Sequence, residues 1–190
     1  MAISPYMIFD PAKLDLLRAD VERRGRRREL HGTAAWRSFW AEPQNRTLAW
    51  HRWSEAANSS ALRTICHRFY LRSSRRSGLE ILTPDLGGGV LLLHWGRIIL
   101  NAAAIGRNLC VFQGVTVGND FASGRPQIGS DVFLGAGSIV IGNISIGDHV
   151  IVAAGSVVVS DVPPCSLVAG NPARVVRSVE PGESRRGIGY

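Results

Sequence analysis

Apolar residues in the second half of the chain recur every six positions. Ile128, Leu134, Val140, Ile146, Val152 and Val158 share one register, and Leu93, Ile99, Ile105, Val111 and Val117 keep the same step upstream. An amphipathic helix needs a period of about 3.6 and a half-buried strand a period of about 2. A step of six over two blocks instead marks a β-helix, in which each repeat supplies one short side of a coil. Gly106, Gly118, Gly129, Gly135 and Gly147 stand just past the register positions, where a sharp corner favours residues that tolerate positive φ. Small or β-branched residues lie four past the register, at Ala103, Val115, Val132, Ser138, Ile144, Val150 and Ser156. Each side therefore offers two buried positions. Three sides close one coil, so Leu93 to Val159 makes roughly four coils.

The step breaks once. From Val117 to Ile128 is eleven residues, so Asn119–Gln127 (NDFASGRPQ) must leave the coil as a loop. Loops on rigid scaffolds are frequent carriers of function. The front of the chain reads differently. Asp10-Pro11 can open a helix, with Asp10 as N-cap and Leu14, Leu17 and Val21 on one face. Gly25 is its expected end. Residues 31–45 read as a loop or short helix, and 46–72 as a second helix in which Trp50 and Trp53 are packing residues. The expected organisation is a helical region at 1–78, a β-helix at 79–178 and a disordered tail at 179–190.

Charge sharpens this division. Of the net +7, residues 1–76 carry +8 (fourteen Arg and Lys13 against seven acids) and the remainder −1. The densest run is Arg23, Arg24, Arg26, Arg27 and Arg28. No aromatic RNA motif, zinc spacing or recognition helix accompanies it, so it reads as a solvated helix end and no nucleic-acid partner is expected. Cys66, Cys110 and Cys165 are widely spaced without CxxC, which argues against a disulfide framework and a metal site and suits a reducing cytoplasm. Met1–Asp10 lacks the pattern of a signal peptide, and no window approaches the roughly 18 apolar residues of a membrane span.

Two segments carry a resemblance. Val168–Val176 (VAGNPARVV), following Asp161-Val-Pro-Pro, matches the closing motif of the hexapeptide-repeat acyltransferases. Leu91–Asn101 (LLLHWGRIILN) followed by Ile105–Gly118 (IGRNLCVFQGVTVG) is similar to the central segment of the serine acetyltransferase branch. The resemblance covers about residues 79–178. It implies a left-handed parallel β-helix, a homotrimer or a multiple of it, and acyl transfer from acetyl-CoA. The helical front is shorter than in full-length bacterial serine acetyltransferases, and shorter members of the branch modify surface polysaccharides.

Acetyl transfer to a hydroxyl needs a base, a donor for the tetrahedral oxyanion and a leaving thiolate, with no covalent enzyme intermediate required. His31, His51 and His67 lie in the helical front and read as packing or surface residues, and His149 sits at a coil corner. His94 follows a register position, so it should face outward, and it coincides with the branch's catalytic His. A base His is usually oriented by a carboxylate. The branch places that acid about one coil upstream, which implies Glu80 if one residue is deleted before Gly87, with Asp85 as the alternative. Small residues at Gly135, Ala136, Ala153 and Ala154 could admit the pantetheine arm of coenzyme A, and Arg174 could meet a phosphate.

Departures from the branch bear on the acceptor. Serine acetyltransferases carry an Asp immediately before the catalytic His, to meet the substrate ammonium; Leu93 stands there. Their excursion loop carries Arg-His before the Pro; here it is Gly124-Arg125. Arg125 could still bind a carboxylate or an acidic sugar. An unpaired ammonium in a partly dry site costs several kcal/mol. The expectation is therefore an acetyl-CoA-dependent O-acetyltransferase acting on a sugar hydroxyl of a surface glycan or its precursor. The alternatives are a serine O-acetyltransferase and a non-catalytic β-helix that binds or regulates a partner. The site is expected between neighbouring subunits, because one flat wall cannot enclose two substrates.

Overall fold

The computed structural model describes residues 8–94, 96–120, 122–181 and 183. Met1–Met7, on which much of the signal-peptide reading rests, lie outside them, as does most of the expected tail. The chain divides into two compact units, Met1–Leu79 and Glu80–Tyr190.

The first unit holds four helices: α1 (Pro11–Arg27), α2 (Gly32–Ala41), α3 (Pro43–Ala56) and α4 (Ser60–Ser77). Asp10 caps α1 by accepting from the Ala12 N–H at 3.0 Å. The helix does not stop at Gly25. It runs on to Arg27, where the Gly25 and Arg26 carbonyls accept from the residues that follow. The single helix expected over 46–72 is in fact two. Pro43 opens α3, the backbone turns extended at Ala57, and Ser59 caps α4 by accepting from Leu62 N–H. The arginine run is also divided by the fold. Arg24 is buried and, with the more exposed Arg28, reaches Glu42 at 3.1 and 3.2 Å. Deeper still, Arg52 meets Asp20 at 3.0 Å with both side chains withdrawn from water. The tryptophans pack as expected, Trp53 lying against Trp40 and Trp50.

The second unit is a β-helix whose short strands stack in parallel on three sides. One side is built from β1 (Leu79–Ile81), β4 (Ile98–Leu100), β7 (Thr116–Gly118), β10 (Ile139–Ile141) and β13 (Val157–Val158). The next is β2 (Asp85–Leu86), β5 (Ala104–Ile105), β8 (Gln127–Ile128) and β11 (Ser145–Ile146). The third is β3 (Leu91–Leu92), β6 (Cys110–Val111), β9 (Phe133–Leu134), β12 (Ile151–Val152) and β14 (Ser166–Gly170), closed by an antiparallel β15 (Ala173–Ser178). The fold is mainly β with an α-helical front, as expected. It has one coil more than the repeat count suggested, because strands begin at β1 rather than near Leu93.

From Ile105 onward the register is the expected one. Ile105, Val111, Val117, Ile128, Leu134, Val140, Ile146, Val152 and Val158 are all at most 4% exposed. Upstream it slips. Leu92, not Leu93, pairs with Val111, and Leu100, not Ile99, pairs with Val117. The turn from Leu92 to Leu100 is longer than the regular corner, and the next, from Leu100 to Ile105, is shorter. Strand alternation then puts Leu91 and Leu93 on the outer face, in an apolar cluster with Cys110, Phe133, Ile151 and Val179. The same slip buries Ala102 in place of Ala103. Val179, assigned to the tail, also donates its N–H to the Cys165 carbonyl. No helix among the described residues is long and apolar enough to cross a membrane.

Candidate active site

The long turn between β3 and β4 carries His94. Its backbone is left-handed, with φ 65°, and Gly96 follows at φ 148°. A Cβ on Gly96 would come within 2.9 Å of the Gln113 Cβ, so glycine lets the turn lie down on the next coil. His94 is exposed, as expected, but the cause is the turn rather than the alternation of a strand. Its ring stands 5.4 Å from that of Phe112, tilted by 47°. Phe112 in turn touches Phe133 at 5.3 Å. An aromatic row on the outer face of the third side thus ends at the imidazole. Among the described residues nothing hydrogen-bonds to His94.

Glu80 is the exposed middle residue of β1, the strand paired to β4 into which the His94 turn leads. The two side chains are not in ion-pair contact here. Asp85 lies on β2, on a different side of the coil. Leu93 is 5% exposed and held in the outer apolar cluster, so no polar group occupies the position before His94.

The excursion loop is ordered by a residue the sequence reading passed over. The Asp120 carboxylate accepts from the N–H groups of Ala122, Ser123 and Gly124 and from the Ser123 hydroxyl. Ser123 Oγ also accepts from Asn143 N–H at 2.9 Å, which ties the loop to the next coil. These donors, the Ser123 hydroxyl foremost, pull the Asp120 carboxyl down to about 2. An Asp a few residues ahead of Ser123-Gly124 suits an Asx turn, and that was the signal in the sequence. Arg125 follows on this braced loop and is exposed, ahead of the buried Pro126.

The small residues proposed for coenzyme A divide into two kinds. Gly135 is buried, and its N–H donates to the Val152 carbonyl. A Cβ there would come within 2.6 Å of Ala154 N, so coil stacking alone demands glycine. Ala153 N–H is likewise spent on the Val168 carbonyl. Ala136 and Ala154 sit at the corner tips, and their N–H groups have no partner among the described residues. Those two could serve a ligand. Arg174 lies on β15, and its guanidinium donates to the Ala173 carbonyl at 2.8 Å.

The other histidines are placed apart. His51 is buried in the helical unit, where burial, with Arg52, His67 and Lys13 adding to it, lowers it to about 4. His149 stands at a corner with Nδ1 3.9 Å from the carboxylate of Asp131 in the preceding coil.

The bacterial transferase hexapeptide repeat (six repeats) matches residues 125–160. A probable serine acetyltransferase 2 from Oryza sativa subsp. japonica is 50% identical over 95 residues, covering 48% of this chain and 27% of the rice protein. A serine acetyltransferase from Brucella abortus strain S19 shares the architecture with a TM-score of 0.75 at 26% identity, over 90% of this chain and 71% of that one. A Neisseria gonorrhoeae serine acetyltransferase in complex with serine gives 0.72 at 28% identity, over 88% of this chain and 70% of that one. The chain spans less than half the length of the curated relatives it matches.

Proposed function

From a left-handed hexapeptide-repeat β-helix similar to those of serine acetyltransferases, we propose that the protein is an acetyl-CoA-dependent serine O-acetyltransferase with His94 as general base. The observation that carries this reading is the exposed His94 on its left-handed turn, inside the segment that resembles the serine acetyltransferase branch. His94 takes the hydroxyl proton as the serine oxygen attacks the thioester carbonyl. Ala136 and Ala154 N–H groups are placed to hold the donor's arm along the corners. As the carbon–sulfur bond breaks, His94 returns the proton to the departing thiolate, giving O-acetylserine and free coenzyme A. Glu80 is the orienting acid, reaching His94 in the assembled, substrate-bound enzyme. Arg125 meets the acceptor's carboxylate, a match of fixed fork to anion.

A homotrimer closes the site, the wall of a second copy supplying the opposite face. A reducing compartment such as the cytoplasm suits Cys66, Cys110 and Cys165, which are all free thiols.

A second reading rests on Leu93. With a buried leucine before His94, the site offers no carboxylate there for an ammonium, which favours a sugar hydroxyl as acceptor. Release of coenzyme A thiol separates the two. Saturable release with serine supports the first reading. Silence with serine and homoserine, together with turnover of a nucleotide sugar, replaces it with the second. No release with any acceptor and no binding of coenzyme A defeats both.

A further inference from the structure

The helical unit holds a cationic groove that acetyl transfer does not use. Pro43, Arg46 and Trp50 of α3 and Phe69, Arg72, Ser73 and Arg76 of α4 line an open space of about 330 Å³. That is at the lower end of the size of small-molecule sites, roughly 300–1,000 Å³. We propose that this groove binds a nucleoside diphosphate, with its base on Phe69 and its phosphates on Arg46, Arg72 and Arg76. The proposal does not rest on the transferase reading.

The charges come first. No carboxylate lines the groove. Four arginines elsewhere in the unit do meet carboxylates: Arg18 meets Asp15, Arg24 and Arg28 meet Glu42, and Arg52 meets Asp20. Arg46, Arg72 and Arg76 have no such partner among the described residues. Helix electrostatics account for only one of them. Arg76, in the last turn of α4, favours the negative end of the helix dipole. Arg72 lies one turn before it and repels it. Arg46 sits in the first turn of α3, at the positive end, where a cation is disfavoured. Three like charges gathered here, two of them against these preferences, are relieved by an anion, and guanidinium forks suit phosphate oxygens.

The groove is also fixed in width. Thr47, next to Arg46, has its hydroxyl 2.7 Å from Ser73 Oγ and 2.8 Å from Ser77 Oγ. This bolts α3 to α4 beside the arginines. The floor is aromatic. Phe69 is 48% exposed, and its ring is stacked on Trp50 at 4.6 Å with 17° between planes. A large ring held flat and left open to water offers a platform for a planar base. One ring beside three cations matches a single nucleotide rather than a strand tracked along a stripe.

The test is calorimetric titration of the full chain with GDP at low salt and without coenzyme A, whose own adenosine diphosphate would compete for the groove. One GDP per chain is expected. Guanosine and inorganic pyrophosphate should each bind about tenfold more weakly or worse, and Arg72→Ala with Arg76→Ala should weaken GDP by about tenfold or more. Absence of GDP binding, unchanged affinity in that double variant, or pyrophosphate binding as tightly as GDP each overturns the proposal. So does a clear preference for single-stranded RNA. Should the double variant lose helical circular dichroism, Phe69→Ser decides: weaker GDP with unchanged pyrophosphate is expected, and unchanged GDP overturns it.

Discussion

The imidazole of His94 stands 5.4 Å from the ring of Phe112, and that ring is its one packed neighbour among the described aromatics. His94 is thus set by a turn and a tilted aromatic ring, and no described residue hydrogen-bonds to its nitrogens. His94→Asn removes the proposed base while keeping a residue that tolerates the left-handed backbone. It should lower kcat by about 10²–10⁴. Coenzyme A affinity, measured by calorimetry, should stay within about twofold. Wild-type turnover in this variant would end the role assigned to His94.

Glu80 is exposed and makes no ion pair among the described residues, so its contribution should appear in turnover and not in stability. Glu80→Gln is expected to lower kcat by about tenfold or more while leaving thermal unfolding unchanged. Residues that act as one unit are not additive. The double variant with His94→Asn should therefore be no slower than His94→Asn alone. An additive loss would place Glu80 outside the His94 unit.

Much of this fold could be read from the chain, and the failures have a local cause. The six-residue step is legible from Ile105 to Val158 because each register position there enters the coil interior. It misleads at Leu93, where both faces of the third side are apolar, and at Ile99 on the first side, where Ile98, Ile99 and Leu100 are apolar in a row. Leu91, Leu92 and Leu93 are all buried, so hydrophobicity alone does not tell the inner face from the outer one. The longer turn that follows carries the register forward by two and holds His94, and the short corner after Leu100 takes one residue back. The break at Ala57–Ser59 lies between the apolar positions Ala56 and Leu62 of an irregular stripe, and the polar run Asn58-Ser59-Ser60 with its Ser59 cap was the available sign. Asp120 was legible as an Asx turn. The pairing of His94 with Phe112 joins residues in successive coils, so it needed the register to be known first.

Gly135 separates a packing role from a ligand role. A methyl group there would press on backbone atoms of the next coil, Ala154 N at 2.6 Å and the Val152 carbonyl oxygen at 2.8 Å. Gly135→Ala should destabilise the β-helix by about 1–3 kcal/mol or more. Denaturant unfolding would register this with no ligand present. Ala154→Leu, at an exposed corner, should instead leave unfolding unchanged and raise KM for acetyl-CoA. Equal unfolding midpoints for Gly135→Ala and the wild type would refute the packing role.

Asp120 holds the loop that carries Arg125. Asp120→Ala frees three N–H groups and the Ser123 hydroxyl, which also anchors Asn143. KM for the acceptor should rise, with KM for acetyl-CoA unchanged, since the loop is separate from the Ala136 and Ala154 corners. The depressed carboxyl also sets a pH window. The capped loop is complete above the ordinary carboxylate value of 3.8 and is lost as pH falls through about 2. Amide exchange at Ser123 and Gly124 should accelerate over that range relative to the intrinsic rate. Protection that persists in Asp120→Ala would rule the carboxylate out as the brace.

His51 should make the helical unit acid-sensitive. Its ring is buried in α3, 5.6 Å from Tyr70, and burial lowers its pKa from 6.5 to about 4, with Arg52 and His67 adding to the shift. The folded unit therefore holds His51 neutral, while the unfolded chain takes up a proton below about 6.5. Unfolding is favoured as pH falls across that interval, and below about 4 the slope from this group ends because both states are protonated. The stability contribution present near neutrality and lost by pH 4 is roughly 3 kcal/mol. Carboxylates titrate in the lower part of the same range, so a wild-type curve alone does not isolate His51. His51→Phe keeps a ring beside Tyr70 and removes the proton site. Urea unfolding of the two proteins, followed by helical circular dichroism from pH 7 to about 4, should give curves that converge or cross as the wild type loses stability faster. Parallel curves would mean that His51 is not held neutral by its burial.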